Sequence, residues 1–176
     1  ILLAHPNIKE SQANKALVDA VSDMEGVAVF NLYELSQEIA FNVDEWSKII
    51  SDASAVIYQF PFYWMSAPSL LKKWQDEVFT FLSKTPAVAG KSLTVVTTTG
   101  SEYEAYRSGG RNRFTMDELL RPYQVSAIHS GMSWQTPIVV YGMGTADAGK
   151  NIAEGANLYK QRVEMLIGSS NAGNNW

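Results

Sequence analysis

Cysteine is absent from this sequence of 176 residues. That excludes disulfides, a thiolate metal site and a thiol nucleophile, and it fits a reducing, cytoplasmic setting. Positive charge is in the minority. The 14 Lys and Arg against 18 Asp and Glu give a net charge of −4, whereas a nucleic-acid binder would carry a basic face. Nucleic acid is therefore excluded as the main partner. No apolar run approaches the roughly 20 residues of a membrane-spanning helix. Internal repeats, low-complexity tracts and linkers are also missing, so one domain is expected. Hydrophobic residues make up 46% of the chain and charged residues 18%, too apolar for disorder. The opening "ILLAHP" has neither a methionine nor a signal-peptide pattern. It reads as the end of a first strand whose initial residues lie upstream. The closing "SSNAGNNW" (169–176) is polar and reads as a frayed tail, leaving 1–168 as the folded domain.

What is present alternates between two periodicities. After "ILLA" (1–4), the segment 11–24 places Ala13, Ala16, Leu17, Ala20, Val21 and Met24 at helical spacing, and Gly26 stops it. "VAVFNL" (27–32) reads as strand two. The segment 42–53 reads as a short helix with Asp44 as a candidate N-cap. "SAVIYQF" (54–60) is continuously apolar, as expected of a strand covered on both faces. A third helix spans 67–82, with Pro68 suited to its first turn, and strand four spans 91–99. A helix over 114–127 is expected to end or kink near Pro122. A short strand five falls in "AIHSGM" (127–132), and a last helix covers 145–168. Such alternation means βαβ units: an α/β three-layer sandwich around a parallel sheet. Five strands in this length favour the flavodoxin-like order 2-1-3-4-5 over a six-stranded dinucleotide fold, and no GxGxxG follows strand one.

In such a sheet, ligands sit beyond the carboxyl ends of the strands, which singles out the loops 5–14, 60–68 and 98–112. The first, "HPNIKESQAN", offers a helix start, with Ser11 and Asn14 as side-chain donors and His5 at the strand end. That set suits a phosphate, although an N-cap by Ser11 and a turn at Pro6 and Asn7 would use the same residues. The second, "QFPFYWMSAP", places Phe62, Tyr63, Trp64 and Met65 where loops normally reach the surface. They read either as packing or as a wall for a planar ring. The third, "TTTGSEYEAY", has hydroxyls, a glycine and the trio Tyr103, Glu104 and Tyr106. Together the three loops outline a groove with phosphate at one end and a ring at the other.

These stretches, with "NRFTMDELLRPYQ" and "GMSWQTPIVVYG", run in an order that resembles the flavodoxin-like NAD(P)H:quinone oxidoreductases over nearly the whole chain. The most specific block is P-x-x-W-x-x-x-P followed by L-L-K-x-W-x-D-x-V-F. The similarity is to the short bacterial members, including ancillary proteins of glutathione-gated potassium efflux systems. The resemblance implies that His5, Ser11 and Asn14 hold a flavin phosphate and ribityl chain. It implies that Phe62, Tyr63, Trp64 and Met65 line the isoalloxazine, and that Thr98, Thr99, Gly100 and Ser101 form the second contacting turn. It gives Tyr106 the role of hydrogen-bonding the reduced ring. Two departures stand out: Tyr63 and Ser101 replace a family glutamine and glycine. A tyrosine–histidine relay is not supported, because Arg111, Asn112 and Arg113 follow Tyr106 and the only other histidine, His129, is assigned to strand five.

The resemblance further implies a bound flavin, NAD(P)H as hydride donor, and ping-pong transfer to a quinone or similar flat acceptor; the short chain favours FMN, with FAD as the alternative. It also implies a homodimer whose second subunit closes the site. Leu70, Leu71, Trp74 and Phe79 are interface candidates that read equally well as a core-facing helix. Arg107, Arg111 and Arg113 are candidates for a nucleotide phosphate. A competing expectation is a flavin-binding regulatory subunit docked peripherally on a potassium-efflux antiporter. A flavodoxin-type electron carrier ranks lower, since those are more acidic and richer in hydroxyls at the phosphate loop.

Overall fold

The computed structural model describes residues 1–35 and 40–172. Its strands are β1 (Leu2–Leu3), β2 (Phe30–Asn31), β3 (Ala55–Pro61), β4 (Ser92–Thr98), β5 (Ser133–Trp134) and β6 (Ile138–Val140). All pair in parallel, in the order β2-β1-β3-β4-β5, with β6 also on β4. β5 pairs Ser92 and Leu93, while β6 pairs Val96 to Thr98. The fifth position of the expected order is thus filled by two segments lying end to end along β4. Pro137, just before β6, has no N–H to donate to a ladder, which accounts for the interruption.

Helices cover both faces. On one side α3 (Val43–Asp52), α4 (Ser69–Trp74), α6 (Met116–Leu119) and α7 (Arg121–His129) pack Trp46, Ile50, Leu71, Trp74, Leu120 and Tyr123 against Leu2, Tyr58 and Phe60. On the other, α1 (Gln12–Asp19) and a long carboxyl-terminal helix, Ala148–Ala172, pack Leu17, Tyr159 and Val163 against Ile57, Val96, Ile138 and Val140. Consecutive residues of β3 serve opposite layers, Ile57 one and Tyr58 the other, as pleating requires. α4 runs through a π-type turn (Gln75–Phe79) into α5 (Thr80–Leu82). Leu71, Trp74 and Phe79 are buried within the chain itself, so the core-facing reading of this helix holds. A short α2 (Leu32–Leu35), not expected from the sequence, follows β2.

Several boundaries differ from expectation. Strand five is not in 127–132. Tyr123, Ala127 and Ser130 repeat at helical spacing toward the core, so α7 continues to His129 and the chain turns at Gly131 (φ 74°) before β5. His129 is therefore helical. The helix expected over 114–127 is two helices, with Pro122 in the first turn of the second. Asn42, not Asp44, caps α3, its side chain accepting from the N–H groups of Asp44 and Glu45. The last helix, α8 in chain order, continues to Ala172, and the end of the expected tail, 173–176, lies outside the described residues. Among the described residues no helix is long and apolar enough to cross a membrane.

Candidate functional site

The loops after β1, β3 and β4 converge. Asn14 Nδ2 donates to Thr98 Oγ1 at 2.9 Å, and Gln59 Nε2 donates to the Asn14 carbonyl at 2.8 Å. Above this bridge opens a cleft of about 290 Å³ lined by His5, Ser11, Asn14, Phe62, Tyr63, Thr98, Thr99 and Gly100. Eight of the twelve site residues expected from the sequence therefore share one cavity. Ser101, Trp64, Met65 and Tyr106 stand outside its lining.

The end of the cleft at the start of α1 is rich in donors. Ser11 caps α1 by accepting from the Asn14 N–H at 3.1 Å, which leaves its own O–H free to donate. The N–H groups of Gln12 and Ala13, both on the lining, have no acceptor within their own helix. His5 Nδ1 accepts from the Asn7 N–H at 3.1 Å. Burial holds the His5 pKa below its usual value, and with Nδ1 accepting from Asn7, Nε2 is the ring nitrogen left to donate. The cleft lining contains no carboxylate. Two acceptors beneath it, Asn14 Oδ1 and Gln59 Oε1, are buried without a hydrogen-bond partner among the described residues.

At the opposite end, Phe62 N–H donates to the Thr98 carbonyl at 2.9 Å and fixes the start of the loop. Tyr63 and Ser66 then exchange backbone hydrogen bonds of 2.9 and 3.0 Å around Trp64 and Met65. Both central residues have positive φ, 48° and 63°, the pattern of a type I′ turn that ordinarily uses Asn and Gly. Left-handed backbone at a non-glycine residue costs on the order of 1 kcal/mol and collects at functional sites. The turn carries Trp64 into solvent, 97% exposed. Of the four side chains expected to form a wall, Phe62 and Tyr63 line the cleft, and Trp64 and Met65 sit at a protruding tip.

The turn after β4 is held by a fourth loop, 141–144. Thr99 N–H donates to the Val140 carbonyl, and the N–H groups of Gly142, Met143 and Gly144 donate to the carbonyls of Ser101, Thr99 and Gly100, all at 2.8–2.9 Å. Ser101 is a structural member of this ladder. Its carbonyl also accepts from Thr99 Oγ1, and its Oγ accepts from Arg111 Nη2 at 2.5 Å. Sequence reasoning missed Met143, Ala148 and Ile152 on the cleft lining. The Gly-Met-Gly directly after the apolar run "PIVVY" was the available signal.

Tyr106 ends a tight helical turn (Tyr103–Tyr106) and is buried. Its ring meets Phe62 at 6.2 Å, nearly perpendicular, and Tyr141 at 5.9 Å. Phe62 thus links it to the cleft that it does not itself line. Gly110 closes this loop from behind: a Cβ there would lie 2.2 Å from the Glu104 carbonyl oxygen. Burial, with Tyr103, Asp117 and Tyr106 nearby, pushes the Tyr141 phenol up to about 12.

Comparison with known proteins gives this geometry a family. A model of the flavodoxin-like fold matches residues 1–163. The chain is 34% identical to the glutathione-regulated potassium-efflux system ancillary protein KefG of Pectobacterium atrosepticum, over 80% of this chain and 79% of that protein. Among solved structures it resembles general stress protein 14 of Treponema denticola, in complex with FMN (TM-score 0.85, 29% identity, 94% of this chain and 97% of that one). It also resembles an NADPH-quinone reductase from P. pentosaceus (TM-score 0.75, 26% identity, 90% and 95%). The strand order, the crevice at the carboxyl ends of the strands and the match over 1–163 agree: the chain belongs to the family of the flavodoxin-like fold.

Proposed function

We propose that this chain is an FMN-dependent NAD(P)H:quinone oxidoreductase. The observation that carries this reading is the phosphate end of the cleft, where Ser11, the first amides of α1 and His5 supply donors and no carboxylate intrudes. Such a donor set suits the phosphate monoester of FMN. The FMN complex of the Treponema protein and the name of the P. pentosaceus reductase support it. Bound there, the flavin supplies two-electron hydride chemistry between NAD(P)H and a quinone or similar flat acceptor, each using the site in turn.

The chain's own part is position and electrostatics. Phe62, Tyr63 and the main chain at Thr98–Gly100 would border the ring of a bound flavin, with the exposed Trp64–Met65 tip beside it. Tyr106 is the proposed catalytic residue: reaching past Phe62, its phenol would donate to the polar edge of a bound flavin ring and offset negative charge there. Holding both reactants against one ring supplies the proximity term. We place the protein in the cytoplasm as a homodimer, the second subunit covering the exposed tip.

The similarity to KefG favours a second reading, a flavin-binding regulatory subunit docked on a potassium-efflux antiporter. Adding FMN or FAD to the purified protein and following NAD(P)H oxidation with menadione separates the two. The enzyme reading expects FMN to bind and turn over. Bound FMN without turnover would favour the regulatory reading, and failure to bind either flavin would remove both.

A further inference from the structure

Beside the first cleft lies a larger one of about 580 Å³. Phe62 lines the first and Tyr106 the second, and their rings meet edge to face. Its volume falls in the range of small-molecule sites, about 300–1,000 Å³. Three features of its wall specify a ligand.

The first is a ring platform. Tyr103 and Tyr141 pack at 5.3 Å with their planes 81° apart, and Tyr103 remains half exposed. The Arg107 guanidinium lies 5.3 Å over the Tyr103 ring. Such a pairing of aromatic and guanidinium planes favours stacking of a further flat, electron-rich ring.

The second is charge. Arg107 and Arg162 both line the cleft, and neither forms an ion pair among the described residues. Arg162 Nη1 donates to the Thr136 carbonyl at 2.7 Å, which orients the guanidinium and leaves further N–H donors. Two arginines fit phosphate oxygens. Asp117 is the single carboxylate on the wall and can accept from sugar hydroxyls.

The third is the sheet edge. β6 pairs only with β4 among the described strands. The Val140 carbonyl accepts from Thr99 N–H, so Val140 turns its backbone groups to β4. By the alternation of a parallel ladder, Val139 turns its N–H and C=O outward. Val139 lines the cleft. A donor and an acceptor side by side match the ring nitrogen and amino group of a purine.

We propose that this edge cleft binds a purine nucleotide, the adenosine-phosphate half of the dinucleotide hydride donor; the assignment to that donor rests on the reductase reading above. Ring, phosphate, sugar and base edge each find a counterpart on one wall, and Tyr106 on that wall meets Phe62 of the first cleft.

ADP is the probe, titrated by calorimetry into the full chain carrying FMN. It is expected to bind without displacing FMN. Arg107→Ala and Arg162→Ala should each weaken it roughly tenfold, and Tyr103→Ala should also weaken it. Arg121→Ala, on α7 away from the cleft, should leave its affinity unchanged. Melting curves of each variant exclude misfolding as the cause. The proposal is overturned if ADP fails to bind protein that holds FMN, if it displaces FMN, or if both arginine variants bind it like the parent. Retained ADP binding in a protein that takes no flavin would uphold the cleft and remove the flavin reading.

Discussion

Asn14 donates to Thr98 across 2.9 Å, joining the first turn of α1 to the end of β4, 84 positions apart in the chain. Both side chains are buried, and Gln59 extends the bridge to the third strand. Asn14→Asp keeps the shape, removes the amide donor and sets a carboxylate beneath the proposed phosphate. We expect a loss of about 2–3 kcal/mol in unfolding free energy by urea titration. FMN binding, followed by flavin fluorescence, should be abolished. Parental FMN affinity in the Asn14→Asp variant would place the phosphate elsewhere.

Tyr106→Phe keeps the ring contacts with Phe62 and Tyr141 and deletes only the hydroxyl. Turnover with menadione should fall by roughly 100-fold, while the Kd for FMN stays within about twofold of the parent. Equal turnover in the two proteins would remove Tyr106 from the reaction.

Trp64 is almost wholly exposed, so Trp64→Ala should change stability by no more than about 0.5 kcal/mol. If the indole covers the bound ring, the same change weakens FMN binding. Thermal melting and flavin titration on one sample read the two effects separately, and an unchanged Kd would leave the tip without a role in cofactor binding.

The pH dependence of stability should show two separate windows. Burial lowers the His5 pKa from 6.5, so the unfolded chain binds the extra proton first. That contribution is complete above pH 6.5 and declines as pH falls from 6.5 toward the folded value. Glu77 is held low by hydrogen bonds from Lys73 and from the Phe41 N–H, and Glu118 by the Thr115 N–H and hydroxyl. Their contributions are present above 4.5 and are lost as pH drops below it. His5→Gln should flatten the upper window and leave the lower one intact in a melting series across pH.

Much of this was legible in the residues. The continuous apolar runs of β3 and β4 and the helical spacing of 11–24 announce a parallel sheet with covered faces, and the three converging loops follow from that topology. Strand five was not legible, because "AIHSGM" is apolar enough for a strand while Tyr123 and Ala127 extend the helix into it. Trp64 misled for a different reason. An aromatic residue in a βα loop suggests a wall, but its direction depends on a left-handed turn that neither Trp nor Met advertises. Gln59 and the 141–144 loop escaped because their parts come from hydrogen bonds to distant segments, invisible to local patterning.

The two-piece outer strand has one more effect. A newcomer chain seeking to lengthen the sheet would find only two residues at β5, then a gap with Pro137, then three at β6. No uninterrupted row of donors and acceptors is long enough to recruit it, which makes this border a poor seed for fibrils or runaway self-association.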